Sequence, residues 1–215
     1  LIFGLFKPKK QILGHELSGT VEDVGKMVTR FKIGDAVFGT TTMLKTGSHA
    51  EYICIPETWK HGVVALKPTN LNFEESTALP IGGMTALFLL EKVGLTMGQK
   101  VLIYGASGSV GSYAVQLAKS FGASTTGVCS SKNIEMVKSL GAETVIDYTA
   151  DDLTMLQSDF DIVFDAVGKI SKSNAKKVLK PKGAFVSVRM ITKERRENLL
   201  KIKELAEQGK IKPLI

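Results

Sequence analysis

The run Tyr104-Gly105-Ala106-Ser107-Gly108-Ser109-Val110-Gly111 follows the apolar stretch Val101-Leu102-Ile103 and opens a helical pattern with Val110, Ala114, Leu117 and Phe121 on one face. A buried strand, a tight glycine turn and a helix, in that order, point to a parallel sheet whose crossovers are helices. Glycines let the backbone approach a ligand closely, and the first N–H groups and positive dipole end of the helix attract anions. The turn therefore suits a dinucleotide pyrophosphate. Its spacing is G-x-x-G-x-x-G, not G-x-G-x-x-G, so a tight turn without a ligand stays open as the alternative.

The next strand-like run, Ser124–Cys129, ends in Ser130-Ser131-Lys132. Sites for a bare ribose carry an acid about 20 residues beyond the glycines. None stands at this strand end, and Glu135 falls inside the next helical pattern. Two hydroxyls and an ammonium oppose the charge of a 2′-phosphate and donate hydrogen bonds to it. They would serve equally as a polar turn capping the next helix. Following the glycine turn, the phosphate reading is favoured, and with it NADPH as cofactor.

The chain divides near residue 77. Before it, short alternating segments at 17–24, 36–38 and 50–55 are punctuated by glycine, a cadence that suits a small β-barrel-like domain. After it, strands are expected at 100–104, 124–129, 144–147, 161–165 and 184–188. Helices are expected near 80–92, 109–121, 133–140, 171–179 and 193–208. The expected class is α/β, a doubly wound parallel sheet covered on both faces.

Composition excludes several classes. Hydrophobic residues make up 44% of the 215 and charged residues 23%, ordinary for a soluble globular protein with an ample core. No apolar run is long enough for a membrane span, and Leu1-Ile2-Phe3-Gly4-Leu5-Phe6 lacks the basic leader of a signal peptide. A cytoplasmic setting is the expectation. The first residue is not Met and the start is apolar, which reads as a piece of a longer chain. The net charge of +7 is spread out, with short clusters only at Lys7-Pro8-Lys9-Lys10 and Lys193-Glu194-Arg195-Arg196. No nucleic-acid module accompanies them, so a solvated basic surface is expected. Cys54 and Cys129 lie in apolar strand-like contexts and read as buried free thiols.

Gly14-His15-Glu16-Leu17-Ser18-Gly19-Thr20-Val21, Val24-Gly25, Phe31-Lys32-Ile33-Gly34-Asp35-Ala36-Val37 and Ala50-Glu51-Tyr52 resemble the catalytic domain of medium-chain dehydrogenase/reductases. The resemblance continues in order through Leu79-Pro80-Ile81-Gly82-Gly83-Met84-Thr85-Ala86, the glycine turn, Leu140-Gly141-Ala142-Glu143 and Phe164-Asp165-Ala166-Val167-Gly168. It implies a GroES-like domain over 1–77, incomplete at its start, and a Rossmann domain over 78–208. Residues 209–215 would begin the return to the first domain. It also implies about 60 residues before Leu1, a segment after Ile215 and a gap near Val188-Arg189. A homodimer through Rossmann strand pairing is a further implication.

By that resemblance, Gly105, Ser107, Gly108, Ser109, Val110 and Gly111 line the pyrophosphate. Ser130, Ser131, Lys132 and Tyr148 hold the 2′-phosphate end, and Thr85 with Val167-Gly168 borders the nicotinamide. Blander roles stay open: Thr85 as the start of a helix, Tyr148 as packing over Leu140-Gly141. No catalytic acid is assigned.

Zinc members of the superfamily also carry Gly-His-Glu. A catalytic zinc needs three protein ligands and an open position. The cysteine expected in the later helix-opening motif is replaced by Ile81, and 38–50 contains none of the structural cysteines. No metal is expected. A short-chain reductase is excluded differently, since its Tyr-x-x-x-Lys pair is missing: Pro56, Gly108, Leu117 and Asp152 stand four after Tyr52, Tyr104, Tyr113 and Tyr148. Gly105-Ala106-Ser107-Gly108 does not make the G-x-S-x-G of a serine hydrolase either. The reading is a zinc-free, NADPH-dependent reductase of quinones or α,β-unsaturated carbonyls. The rivals are an NADPH-binding structural or interaction protein with little turnover and a zinc alcohol dehydrogenase.

Overall fold

Short antiparallel strands open the fold: Glu16–Thr20 (β1), Ala36–Thr40 (β2) and Val64–Leu66 (β3), ordered β1-β2-β3. The computed structural model describes residues 11–150 and 159–215, so the apolar start and the Lys7–Lys10 cluster lie outside it. In β2, Phe38 is fully buried and faces Ser18 on β1 and Ala65 on β3. Two expectations fail here. Residues 50–55 form no strand and Tyr52 is 75% exposed: the alternation there meets no partner strand among the described residues. Cys54 is accordingly exposed; only Cys129 is buried.

Two helices follow, Phe73–Thr77 (α1) and Pro80–Lys92 (α2). The first begins with a capping box: Asn72 Oδ1 accepts from Glu75 N at 2.7 Å, and Glu75 Oε2 accepts from Asn72 N at 2.9 Å. The second has proline at its first position, where a missing N–H costs nothing.

The rest is a five-stranded parallel sheet with crossover helices. In chain order come Lys100–Tyr104 (β4), Ser109–Ser120 (α3), Ser124–Cys129 (β5), Ile134–Ser139 (α4), Thr144–Asp147 (β6), Phe160–Asp165 (β7), Lys172–Val178 (α5) and Leu179–Ser187 (β8). The order is β6-β5-β4-β7-β8. Val101, Ile103, Val163 and Phe164 are fully buried, as continuous apolar runs must be in a sheet covered on both faces. Along α3, burial runs unbroken from Gly111 to Ala118, wider than one apolar stripe. Its Gln116 is satisfied by main chain, donating to Lys212 O at 3.0 Å and accepting from Lys212 N at 2.7 Å.

Strand β8 starts five residues before the expected 184. Leu179 already pairs with Phe160, and a register shift between Phe160 and Ile162 absorbs the extra residues. Pro181 and Gly183 hide that strand from any periodicity, and Lys182 carries the bulge with φ of 71°.

The helix Arg196–Glu207 (α6) closes the chain's regular structure. The described residues group into two units. The first runs to Ile81 and includes Glu194–Glu207 and Pro213–Ile215; the second is Gly82–Lys193 with Gln208–Lys212. Within the first unit, Asn70 Nδ2 donates to Ala206 O at 2.9 Å and Thr69 N to Glu207 Oε1 at 3.0 Å. The architecture is thus a short antiparallel sheet of GroES-like type and a Rossmann-like parallel sheet.

Candidate functional site

All strand ends that matter leave the parallel sheet on one side. Tyr104 ends β4 level with Asp165 of β7 and Val128 of β5, and Cys129 is level with Asp147 of β6. The strand order reverses between β4 and β7, and ligands of open α/β sheets bind at the carboxyl ends beside such a reversal. Four of the predicted segments therefore converge: 105–111, 130–132, Tyr148 and Val167-Gly168. Thr85 lies apart from these strand ends in sequence, half-buried on α2.

The glycines of the turn do different work. Gly105 has φ of 78°, and a Cβ there would strike the Val167 side chain. A Cβ on Gly111 would overlap the carbonyl oxygen of Gly105, which is backbone and cannot step aside. Both are demanded by the fold. Gly108 is not: with φ of −83°, its added Cβ would meet only Gly105 O, at an ordinary 3.5 Å. Gly108 is the N-cap of α3 and supplies no capping side chain for the first N–H groups of the helix. Ser109, exposed, and Val110, half-buried, begin the helix there. An uncapped helix start behind an unobstructed glycine fits a bound pyrophosphate.

Beyond β5, Ser130 stands at the N-cap position of a short 3₁₀ turn, Ser131–Asn133, without a capping side-chain bond. Asn133 Nδ2 donates to Ser107 Oγ at 3.2 Å and to Ser130 Oγ at 3.3 Å, tying the glycine turn to the end of β5. Lys132 is exposed beside them. Tyr148 is 50% exposed, and its ring lies 6.2 Å from that of Tyr104, tilted by 44°. Burial, and then Tyr148 and Asp165, push the Tyr104 phenol up.

Sequence reasoning missed two carboxylates. An acid is absent from the end of β5, but β6 brings Asp147 level with Cys129. Asp147 Oδ1 accepts from Thr149 Oγ1 at 2.6 Å and Thr149 N at 2.9 Å. Those bonds from Thr149, and next Ser131, hold its carboxyl below the usual range. The second is Asp165, fully buried at the end of β7. Its Oδ1 accepts from the N–H groups of Val167, Gly168 and Lys169 at 3.1, 2.8 and 3.3 Å. Its Oδ2 accepts from Ile170 N at 3.2 Å and Ser187 Oγ at 3.0 Å. One side chain therefore folds the loop that turns Val167 outward, 46% exposed. The pattern Asp-x-x-Gly was visible; its donors come from the loop's own backbone and from β8.

In the first unit, Glu16 Oε1 accepts from the main-chain N of Ile81 at 2.8 Å. Burial raises the Glu16 carboxyl, the Ile81 N–H opposes that, and the Glu194 charge adds to it. Among the described residues, no group of three or more His, Cys, Asp or Glu is placed to hold a metal ion.

Residues 3–68 match the alcohol dehydrogenase GroES-like domain family, and residues 109–211 match the zinc-binding dehydrogenase family. The chain is 39% identical to a 2-methylene-furan-3-one reductase of Solanum lycopersicum, over 97% of this chain and 56% of that one. It is 33% identical to a chloroplastic NADPH-dependent alkenal/one oxidoreductase of Arabidopsis thaliana, over 97% and 57%. It thus spans little more than half of those relatives. The quinone oxidoreductase structure from Coxiella burnetii superposes with a TM-score of 0.82 at 30% identity, covering 92% of this chain and 68% of that one. With two family matches in the expected order and a sheet of the expected type, the chain belongs to the medium-chain dehydrogenase/reductase family.

Proposed function

We propose that the protein of this chain is an NADPH-dependent reductase of quinones or α,β-unsaturated carbonyls that works without zinc. The observation that carries this is the convergence, at one sheet edge, of an uncapped helix start behind Gly108 and the Ser130–Lys132 cluster. The relatives support the substrate class: those named above act on a furanone, on alkenals or enones, and on quinones. When bound, the cofactor supplies the hydride. The chain's own residues would hold its phosphates and set the Val167-Gly168 turn beside its reactive end.

Ligand count supports metal independence. Glu16 is engaged by the backbone of Ile81, and that position offers an alkyl side chain where zinc enzymes offer a thiolate. Conjugated acceptors need no Lewis acid as strong as an alcohol does, because conjugation spreads the charge that hydride addition creates. Two free thiols, Cys54 exposed, fit a cytoplasmic setting. No helix among the described residues is long and apolar enough to cross a membrane. Among the described residues β8 is an edge strand, which supports the strand pairing of a homodimer.

The test is NADPH absorbance with a quinone and a short enone as acceptors, before and after prolonged chelation with EDTA or phenanthroline. NADPH consumption that survives chelation is expected. Activity lost to chelator and restored by zinc contradicts the metal-free reading. Tight binding without consumption would favour the structural or interaction protein.

Cofactor choice has its own test. Lys132 meets only a 2′-phosphate, so Lys132→Ala should weaken NADPH binding about tenfold, the loss of one partly solvated charge-assisted bond. NADH binding should hardly change. Equal losses for both cofactors in calorimetric titration would make Lys132 structural.

A further inference from the structure

We propose that Asn133 is a positioning residue that turns the hydroxyl hydrogens of Ser107 and Ser130 toward the cofactor's phosphates. This rests on the NADPH reading above. The side-chain amide carries two hydrogens and sends them to two serine oxygens, at 3.2 Å and 3.3 Å, from the half-buried floor between the glycine turn and the end of β5. A hydroxyl that accepts from Asn133 still has its own single hydrogen to place. Among the described residues, neither Ser107 nor Ser130 donates that hydrogen to a protein acceptor. Phosphate oxygens only accept. The two serines are therefore poised as donors for such a group.

Ser131 shows the opposite arrangement one residue later. Its Oγ lies 3.2 Å from Thr149 Oγ1, whose own hydrogen goes to Asp147 Oδ1 at 2.6 Å. A carboxylate has no hydrogen to give at neutral pH, so the direction of this chain runs inward: Ser131 donates toward the Thr149–Asp147 pair. Adjacent serines of similar appearance thus have different roles. Ser130 offers a donor to the ligand, with Ser107 doing so across the turn, while Ser131 spends its donor closing the loop after β6. Asn133 sets the first polarity and Asp147 the second.

The experiment is calorimetric titration of NADPH into the full chain and its Asn133→Ala and Asn133→Asp variants. Each variant is also made in a Ser107→Ala/Ser130→Ala background, and thermal midpoints are recorded alongside. Asn133→Ala should weaken NADPH binding about three- to tenfold in the parent, the scale of misdirected hydrogen bonds to a charged group. It should have almost no further effect where both serines are gone. Asn133→Asp keeps the size but accepts instead of donating, so it should weaken binding more. Its charge acts in both backgrounds, and the difference between them isolates the hydroxyls. Equal losses in both backgrounds, or no loss in the parent, would overturn the proposal. Failure of the parent itself to bind NADPH would instead overturn the cofactor reading on which it rests.

Discussion

Gly108→Val is expected to weaken NADPH binding by about a hundredfold or more while the chain stays folded. The valine fits the turn, because φ of −83° is open to any residue and the nearest atom to its Cβ is 3.5 Å away. What it fills is the space in front of the first N–H groups of α3. Two lost N–H bonds to a phosphate, at about 1.5–3 kcal/mol each, account for a factor of that size. Stability should fall by only about 1 kcal/mol, the usual cost of an apolar N-cap. Gly111→Val is the control with the opposite outcome, since its side chain would overlap the Gly105 carbonyl and force α3 off the turn. It should lower the thermal midpoint steeply or prevent soluble expression. Calorimetric titration and a melting curve on the two variants separate the cases. Unchanged NADPH affinity in Gly108→Val would remove the turn from the site.

Asp165→Ala is expected to cost about 3 kcal/mol of stability or more. Four backbone N–H groups and the Ser187 hydroxyl converge on this buried side chain, and removing it strands the buried Gly168 N–H and Ser187 hydroxyl and loosens the part-buried others. Each buried unsatisfied donor costs about 1–3 kcal/mol, and partial relaxation of the loop offsets some of the sum. Asp165→Asn keeps one accepting oxygen and should fall between parent and alanine variant. Denaturant unfolding measures both. A loss under about 1 kcal/mol for Asp165→Ala would mean that the loop 166–170 is held by other contacts.

The parallel sheet was legible because its strands are written as short apolar runs closed by glycine or polar turns. The expected 100–104, 124–129 and 144–147 match β4, β5 and β6 in full. The antiparallel half was legible in part: the expected 17–24 and 36–38 overlap β1 and β2. Val64-Ala65-Leu66 is too short to show a period, while Tyr52-Ile53-Cys54-Ile55 shows one and pairs with nothing in β2. Periodicity reports which residues alternate, not whether a neighbouring edge is free. The capping box at Asn72 and Glu75 was readable and passed over, since the helix it opens has only five residues.

The candidate site divides along similar lines. Glycine spacing and the missing acid after β5 are local signals, readable in one dimension. The bonding of Asn133, Asp147 and Asp165 depends on which strand ends lie side by side, and only the sheet order supplies that. The three glycines looked equivalent in sequence. Their surroundings show that Gly105 and Gly111 serve the fold and that Gly108 alone leaves room for a ligand.

Parallel calorimetric titrations of NADPH and NADH into the unmodified chain decide whether this site holds NADPH. Saturable binding of NADPH at one site per chain is expected, with NADH bound about tenfold or more weakly, the scale of one charge-assisted contact to the 2′-phosphate. Tighter binding of NADH, or no binding of either cofactor, would contradict the NADPH reading.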